Sequence, residues 1–559
     1  MTFSAETRKK TINDLKKEKL DVLVIGGGIT GAGIALHGAA RDVNIGLIEM
    51  QDFAGGTSSR STKLVHGGLR YLKQFDVELV ADVAKERAVI GKNAPHIVQP
   101  DYMLMPVYDE PGASFNNFSA EVVLHLYDYL AEVDEEWAHY LKDTEEVLAD
   151  EPLLKEADLL TGGFYLDYTN DDARLTIETI KKANELGAKP VNYVKAVDFL
   201  YDEKKQIKGV KAEDVLTGDI FEINADIVVN AAGPWSDEVR QKREEKTDKK
   251  MFPTKGVHFV VSHEKLPVNR TIYTDTGLED DRMIFIIPRG GKTYFGTTDT
   301  PFEGPYEDPE ITEEDVTYLL KAVNHRFEQV NLTMDDIESS WAGLRPLIKD
   351  EDNSDPSGIS RGHEVFLSDD GLVTIAGGKL TDYRGMAEDT FEVIDEIWES
   401  RNLRFRSCDT KEIPLSGGDI NRSMSDFIAS KREAGVKIGL KEDEADRLAD
   451  WYGSNIADVY ALAEEAKAVE LPLADALQLL YGLKYEMVMS PEDFFGRRTD
   501  SLLFNVEKVE ELKEEVSSVL AENLEWTEDE KVSWRDRLEA EIALKTLKNI
   551  KNLSKGSDS

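Results

Sequence analysis

Cysteine is almost missing from this sequence. Cys408 is the one cysteine among 559 residues, which excludes an internal disulfide framework, a four-cysteine zinc site and a cysteine-held iron–sulfur cluster. That usage fits a reducing compartment. Long apolar runs are missing too. No window reaches the roughly 18 to 20 residues that a spanning helix needs, and the polar stretch from Met1 to Lys19 has no apolar core of signal-peptide length. The chain is expected to be soluble or to lie on a membrane without crossing it. Basic residues are in deficit, 67 Lys and Arg against 109 Asp and Glu, for a formal net charge of -42. A phosphate backbone would be repelled, so nucleic acid is not expected as a partner, and the same repulsion opposes anionic lipid. With no short repeat and no low-complexity tract, a solenoid is disfavoured as well.

What is there is a globular balance, 41% hydrophobic and 31% charged residues, in a chain long enough for several domains. From Asp21 to about Ser400, short β-branched runs, glycine turns and amphipathic stretches alternate as in an α/β fold. After about Arg401 glycine thins out, and segments such as Asp443 to Trp451 and Val506 to Leu520 carry apolar residues at helical spacing. Ser490-Pro491-Glu492-Asp493 supplies an N-cap, a proline at the first helical position and an acid at the third. These changes divide the chain into an α/β part over residues 1–400 and a helical C-terminal domain over 401–559.

Asp21 to Ile25 reads as a buried strand that runs into Gly26-Gly27-Gly28-Ile29-Thr30-Gly31, after which small residues continue as a helix to Ala40. This is G-x-G-x-x-G between a strand and a helix, the setting in which the pattern has a mechanism. Gly26 permits the tight turn, Gly28 lets the backbone approach a pyrophosphate, and Gly31 lets the helix pack on the sheet. The helix N-terminus, at Ile29 and Thr30, then faces the phosphates. A second strand, Ile45 to Ile48, ends at Glu49, where an acid accepts hydrogen bonds from a ribose diol. A dinucleotide is expected; this fingerprint does not distinguish NAD from FAD.

The next stretch, Gly55 to Tyr71, joins a hydroxyl-rich loop to His66-Gly67-Gly68-Leu69-Arg70-Tyr71. It resembles the FAD-dependent glycerol-3-phosphate dehydrogenases, within the wider group of amino-acid and amine oxidases. Asn230-Ala231-Ala232-Gly233-Pro234-Trp235, Lys255-Gly256-Val257-His258, Trp341 to Leu347, Gly377-Gly378-Lys379-Leu380-Thr381 and Glu486 to Thr499 carry the same resemblance, which runs from Asp21 to about Asp500. It implies FAD as cofactor. It also implies a Rossmann-like FAD-binding domain interleaved with an antiparallel-sheet substrate domain at about 75–160 and 250–345, the glucose-inhibited and amino-acid-oxidase-like flavoprotein architecture, followed by an all-helical domain. The FAD contacts it implies are Met50, Thr57, Ser58, Lys63, Leu64, His66 and Gly67 early in the chain, then Ala196, Ala232, Gly233 and Trp235 at strand ends. Gly343, Gly378, Lys379, Leu380 and Thr381 follow, near the ring. Gly377 and Gly378 are expected to open the following helix, so that free N–H groups face the flavin. Arg497 and Arg498 are expected to cap the helical domain or tie it to the core. Asp382 departs from the family, many of whose members carry a hydroxyl there.

A phosphorylated polyol needs cationic donors, and Arg70, Arg345, Arg361 and Lys379 are the basic candidates in flavin-associated segments, with Tyr71 as a neutral donor. Four cations favour a dianionic phosphate over a carboxylate. The implied reaction is oxidation of sn-glycerol 3-phosphate to dihydroxyacetone phosphate, with hydride passing to the flavin while a base takes the C2 hydroxyl proton. His258 and His66 have the intrinsic pKa for that base, His258 being favoured, and Arg345 would stabilise a developing alkoxide. Neither NAD nor a metal is called for. Electrons would go on to a membrane quinone or, in related oxidases, to oxygen. Those oxidases carry an extra insertion in mid-chain, for which this sequence shows no obvious room, so quinone is the expected acceptor. The family's quinone enzymes are peripheral on the cytoplasmic face of the cell membrane, and a homodimer is left open. Phe115, Phe118 or the basic stretch Arg8 to Lys19 could touch the bilayer, unless they are core residues and a frayed terminus. The alternatives are a glycerol-3-phosphate oxidase, an amine or amino-acid oxidase of the same fold, and a non-catalytic FAD protein with a basic groove.

Overall fold

Lys19–Ile25 is buried from Val22 onward, as a strand covered on both faces of a parallel sheet must be. It pairs in parallel with Ile45–Ile48 on one side and Asp219–Asn230 on the other. The computed structural model describes residues 3–69, 72, 77–243, 249–350, 359–360 and 362–557. Among them the parallel strands run in the order Lys189–Val191, Ile45–Ile48, Lys19–Ile25, Asp219–Asn230 and Leu372–Gly377, with His363–Leu367 antiparallel at the edge. An antiparallel meander, Val194–Tyr201 and Ile207–Asp214, returns onto Asp219–Asn230. The small-residue helix Ile29–Ala40 packs between Asp172–Glu185 and Tyr383–Ser400.

The stretch Pro190 to Ala196, which ends on the expected contact Ala196, belongs to two strands, Lys189–Val191 and Val194–Tyr201. Tyr193 between them has φ +54° and donates its N–H to Gln51 O at 2.9 Å, so the chain turns from the parallel sheet into the meander at that point.

A second sheet is mainly antiparallel, eleven-stranded among the described residues, and takes its strands from 64–169 and 249–360. Its longest ladder joins Lys249–Ser262 to Ile337–Asp350. The last part of the chain is helical with its own apolar core, and includes Glu442–Tyr452, Leu473–Tyr485 and Val506–Leu524. In the Ser490 cap, Asp493 Oδ2 accepts the Ser490 N–H at 3.1 Å and Ser490 Oγ accepts the Asp493 N–H at 3.1 Å. Arg497 and Arg498 tie the helical domain to the core through Asp52.

Two expectations about the surface change. Arg8 to Lys19 is no frayed terminus: Ala5–Lys17 is a helix, and buried Arg8 pairs with Asp214 at 2.6 Å. Phe115 is a core residue, whereas Phe118 is 78% exposed. Among the described residues no helix is long and apolar enough to cross a membrane.

Candidate active site

A cavity of about 390 Å³ lies where the carboxyl ends of the parallel strands meet the second sheet, the place where open α/β sheets bind ligands. At one end the chain leaves its first strand through Gly26, at φ +113°. A Cβ there would sit 2.4 Å from Ala231 O, and one on Gly31 would sit 1.9 Å from Gly26 O, so turn and helix close together only with glycine at both positions. Gly28 caps the helix Ile29–Ala40 with no side-chain bond. Ser58 reaches across it, its Oγ accepting the Ile29 N–H at 2.9 Å. The Glu49 carboxylate accepts the Gly27 N–H at 2.6 Å and the Gln51 N–H at 2.9 Å. Burial raises its pKa, and those two N–H groups oppose the rise.

The long ladder of the second sheet builds the other end. Its register sets His258 opposite Trp341, Gly256 opposite Gly343 and Thr254 opposite Arg345, and residues directly opposite share a face. His258, 2% exposed, stacks on Trp341 with ring centroids 4.8 Å apart. Gly256 leaves an opening beside them into which Arg345 folds, since a Cβ there would come within 2.8 Å of Arg345 Nη2, while Gly343 makes room for the Arg60 backbone, whose O would lie 2.4 Å from a Cβ. The guanidinium is held by Thr297 Oγ1 at 3.3 Å, Thr298 O at 3.2 Å and Asp299 Oδ1 at 3.3 Å. His258 Nε2 lies 3.0 Å from Thr62 Oγ1. Burial, reinforced by the charges of Arg345 and Lys63, holds the His258 pKa well below the ordinary value. His66 is brought down to about 4, chiefly by burial, with Asp167 pulling the other way. Both imidazoles are therefore neutral at pH 7, and the intrinsic histidine pKa does not describe either.

A family model described as FAD-dependent oxidoreductase matches residues 21–384. The chain belongs to the FAD-dependent oxidoreductases. A second model, the C-terminal domain of alpha-glycerophosphate oxidase, matches residues 408–531. An alpha-glycerophosphate oxidase of Streptococcus pyogenes is 46% identical over 612 aligned positions that cover all of both chains. An aerobic glycerol-3-phosphate dehydrogenase of Staphylococcus haemolyticus is 46% identical over 535 positions, 95% of each chain. The solved glycerol-3-phosphate dehydrogenase of Bacillus halodurans, complexed with FAD, is 42% identical, with a TM-score of 0.83 over 97% of this chain and 98% of that one.

As in other FAD-dependent oxidoreductases, the cofactor is FAD, and the residues present fit it. The glycine turn with Gly26 and Gly28 on the cavity wall, the acid at Glu49 and a cavity reaching to the second sheet all suit a long dinucleotide with a ring at its far end. Of the residues named from sequence, Gly26, Gly28, Ile29, Thr30, Glu49, Met50, Thr57, Ser58, Leu64 and His66 line the cavity. So do Ala196, Ala232, Gly233, Trp235, His258, Gly343, Arg345, Gly378, Lys379, Leu380 and Thr381.

Three named residues face elsewhere. Lys63 is buried and gives its ammonium to Asp172 at 2.6 Å, so it organises the loop from behind. Gly67 gives its N–H to Tyr127 Oη and Asp167, and Gly31 packs on Gly26. Gly377 and Gly378 do not open the helix. Both sit at the strand end with φ near +80°, and a short turn, Leu380–Asp382, intervenes before Tyr383–Ser400. A Cβ would meet Gly362 O at 2.5 Å from Gly377 and Met386 Sδ at 2.6 Å from Gly378, so the glycines serve close packing. Asp382, the departure from the family, lies 3.0 Å from His363 Nδ1. Arg70, Tyr71 and Arg361 lie outside the described residues.

Other lining residues were not read from sequence: Thr62, Arg282, Asp299, Lys195, Lys242 and an aromatic wall of Tyr165, Tyr273 and Phe285. Thr62 lies in the hydroxyl-rich loop already singled out. The others carry no local pattern: Lys195 adjoins Ala196, Arg282 and Phe285 share one segment, and the rest reach the cavity from separate parts of the chain.

Proposed function

We propose that the protein oxidises sn-glycerol 3-phosphate to dihydroxyacetone phosphate with FAD and passes the electrons to a membrane quinone. The observation that carries the substrate is the far end of the cavity, where cationic Arg345 lies beside the neutral, buried His258 and Lys379, on the His66 side, lines the same cavity. Arg345 is already fixed by Thr297, Thr298 and Asp299, so little order has to be imposed when it takes an anionic oxygen. His258 takes up the C2 hydroxyl proton at Nε2, the ring atom on the side of the cavity-lining Thr62. Thr62 Oγ1 and the Trp341 stack orient the ring; the lowered pKa leaves it unprotonated at pH 7 at a cost in basicity. Bound FAD supplies the two-electron hydride acceptor.

The choice of quinone over oxygen rests on chain length alone. The alignment with the streptococcal oxidase spans 612 positions against 559 residues here, leaving 53 of them without a residue of this chain, while that with the staphylococcal dehydrogenase covers the same share of both chains in 535 positions. Contact with the cytoplasmic face of the membrane would fall to Phe118, Val122 and Tyr129. These are exposed and aligned on one side of the helix Asn117–Leu130.

Anaerobic addition of glycerol 3-phosphate should bleach the flavin, and amino acids should not. Stopped-flow mixing of the reduced enzyme should then show fast reoxidation by a soluble quinone analogue and slow reoxidation by air. Fast reoxidation by air with stoichiometric peroxide would reverse the choice of acceptor while leaving the substrate in place.

A further inference from the structure

The turn after Glu49 has two faces. Glu49, Met50, Gln51, Gly55 and Gly56 line the cavity, while Asp52, 1% exposed, points away from it. The Asp52 carboxylate meets four donors. Oδ1 accepts from Asn192 Nδ2 and Arg498 Nη2, both at 3.0 Å, and Oδ2 accepts from Arg497 Nε and Arg498 Nη1, both at 2.7 Å. Both cations come from the helical domain, 445 and 446 residues away in sequence. A parallel tie runs beside them. Asn192 also donates to Met487 O at 3.1 Å, and the Tyr193 hydroxyl donates to Asp493 Oδ1 at 2.6 Å. The Tyr193 N–H donates to Gln51 O at 2.9 Å and the Val194 N–H to Glu49 O at 2.7 Å. The dinucleotide side of the turn is thus braced from behind by residues 487–498.

We propose that the C-terminal helical domain governs retention of the dinucleotide, with Asp52, Arg497 and Arg498 as positioning residues that hold the Glu49–Gly56 turn in its binding shape. A buried carboxylate that loses its cations must take up water or a proton. Without both cations the Asp52 carboxylate no longer pins the turn, and a shift of the turn displaces the Gln51 N–H that holds the Glu49 carboxylate. The coupling is reciprocal: whatever domain docking adds to FAD binding, FAD adds to docking. The inference rests on FAD occupying the cavity and is independent of which substrate is oxidised and of the electron acceptor.

Full-length Arg498→Gln and Arg497→Gln, stripped of flavin and titrated with FAD by flavin fluorescence, should show Kd raised by about tenfold or more. KM for glycerol 3-phosphate at saturating FAD should be unchanged. Arg432→Gln, which breaks a surface pair with Asp446 in the same domain, should leave Kd alone. A second measurement needs no variant: in the wild type, removing FAD should speed amide hydrogen exchange in residues 487–498 by about tenfold, while the helix Val506–Leu524 is unaffected. A folded Arg498→Gln variant with wild-type FAD affinity would overturn the proposal, as would exchange in 487–498 that ignores FAD. If the variants do not fold, the exchange experiment decides alone.

Discussion

Arg345 is the described residue whose charge bears most directly on an anionic substrate. Removing a charged hydrogen bond from a desolvated phosphate should cost about 2 to 4 kcal/mol, or roughly 30- to 1,000-fold in kcat/KM. Arg345→Ala should show that loss in steady-state kinetics with its flavin content intact; unchanged kinetics would remove Arg345 from the site. His37, in the helix that follows the glycine turn, makes a pH prediction. Burial first, then the charges of Arg41 and Arg384, bring its pKa from 6.5 to about 4. The unfolded chain takes up that proton near 6.5 and the folded chain only near 4, so acid favours unfolding. The stability is whole above pH 6.5 and is lost as the pH falls from there towards 4. Between about pH 7 and about pH 5, urea unfolding should show wild type losing about 2 kcal/mol more than His37→Gln.

The turn and helix at residues 25–40 work as one element, and two of its glycines should fail differently. Gly31→Ala forces a Cβ to 1.9 Å from Gly26 O, a backbone collision that cannot relax unless the helix lifts from the sheet, so little soluble protein is expected. Gly28 has φ -77°, which any residue adopts, and its Cβ would meet only Ser58 Oγ, at 3.0 Å. Gly28→Ala should therefore fold but hold the pyrophosphate at a distance. Circular dichroism and the flavin-to-protein ratio after gel filtration separate the two outcomes; a Gly28→Ala protein that keeps full flavin would contradict the close approach. On the second sheet, Gly256 plays a comparable part, since the ladder that positions His258 must also leave space for the Arg345 guanidinium.

Across the whole molecule, a net charge of -42 surrounds a cavity that has to take up anions. Local cations carry the binding, while the distant acids repel one another and strain the compact state. Raising sodium chloride from about 0.02 M to about 0.5 M shortens the Debye length to a few ångströms, so the thermal midpoint of the apoprotein should rise. A falling midpoint would mean that surface ion pairs such as Lys513 with Glu510 and Glu539 outweigh the repulsion.

The strand, glycine turn, helix and acid from Asp21 to Glu49 could be read directly, because each demand there is local: a φ that only glycine adopts, a Cβ with nowhere to go, a carboxylate one strand away. The family, the fold class and FAD followed from motifs of the same local kind. Which way a side chain faces is another matter. Lys63 belongs to the hydroxyl-rich loop, yet it turns towards Asp171 and Asp172, more than a hundred residues distant, since a buried ammonium needs carboxylates and those are the ones the fold supplies. His258 keeps its place beside Arg345 but loses its ordinary pKa, because desolvation and neighbouring charge exist only after the sheets close. Arg282 and Asp299 reach the cavity, and Arg498 reaches Asp52, through long-range packing that leaves no pattern in the chain. Local conformation was legible in the sequence because it is decided over a few bonds; burial, charge environment and the partners of distant side chains were decided by the tertiary structure, which alone determines how far each group stands from water and from every other charge.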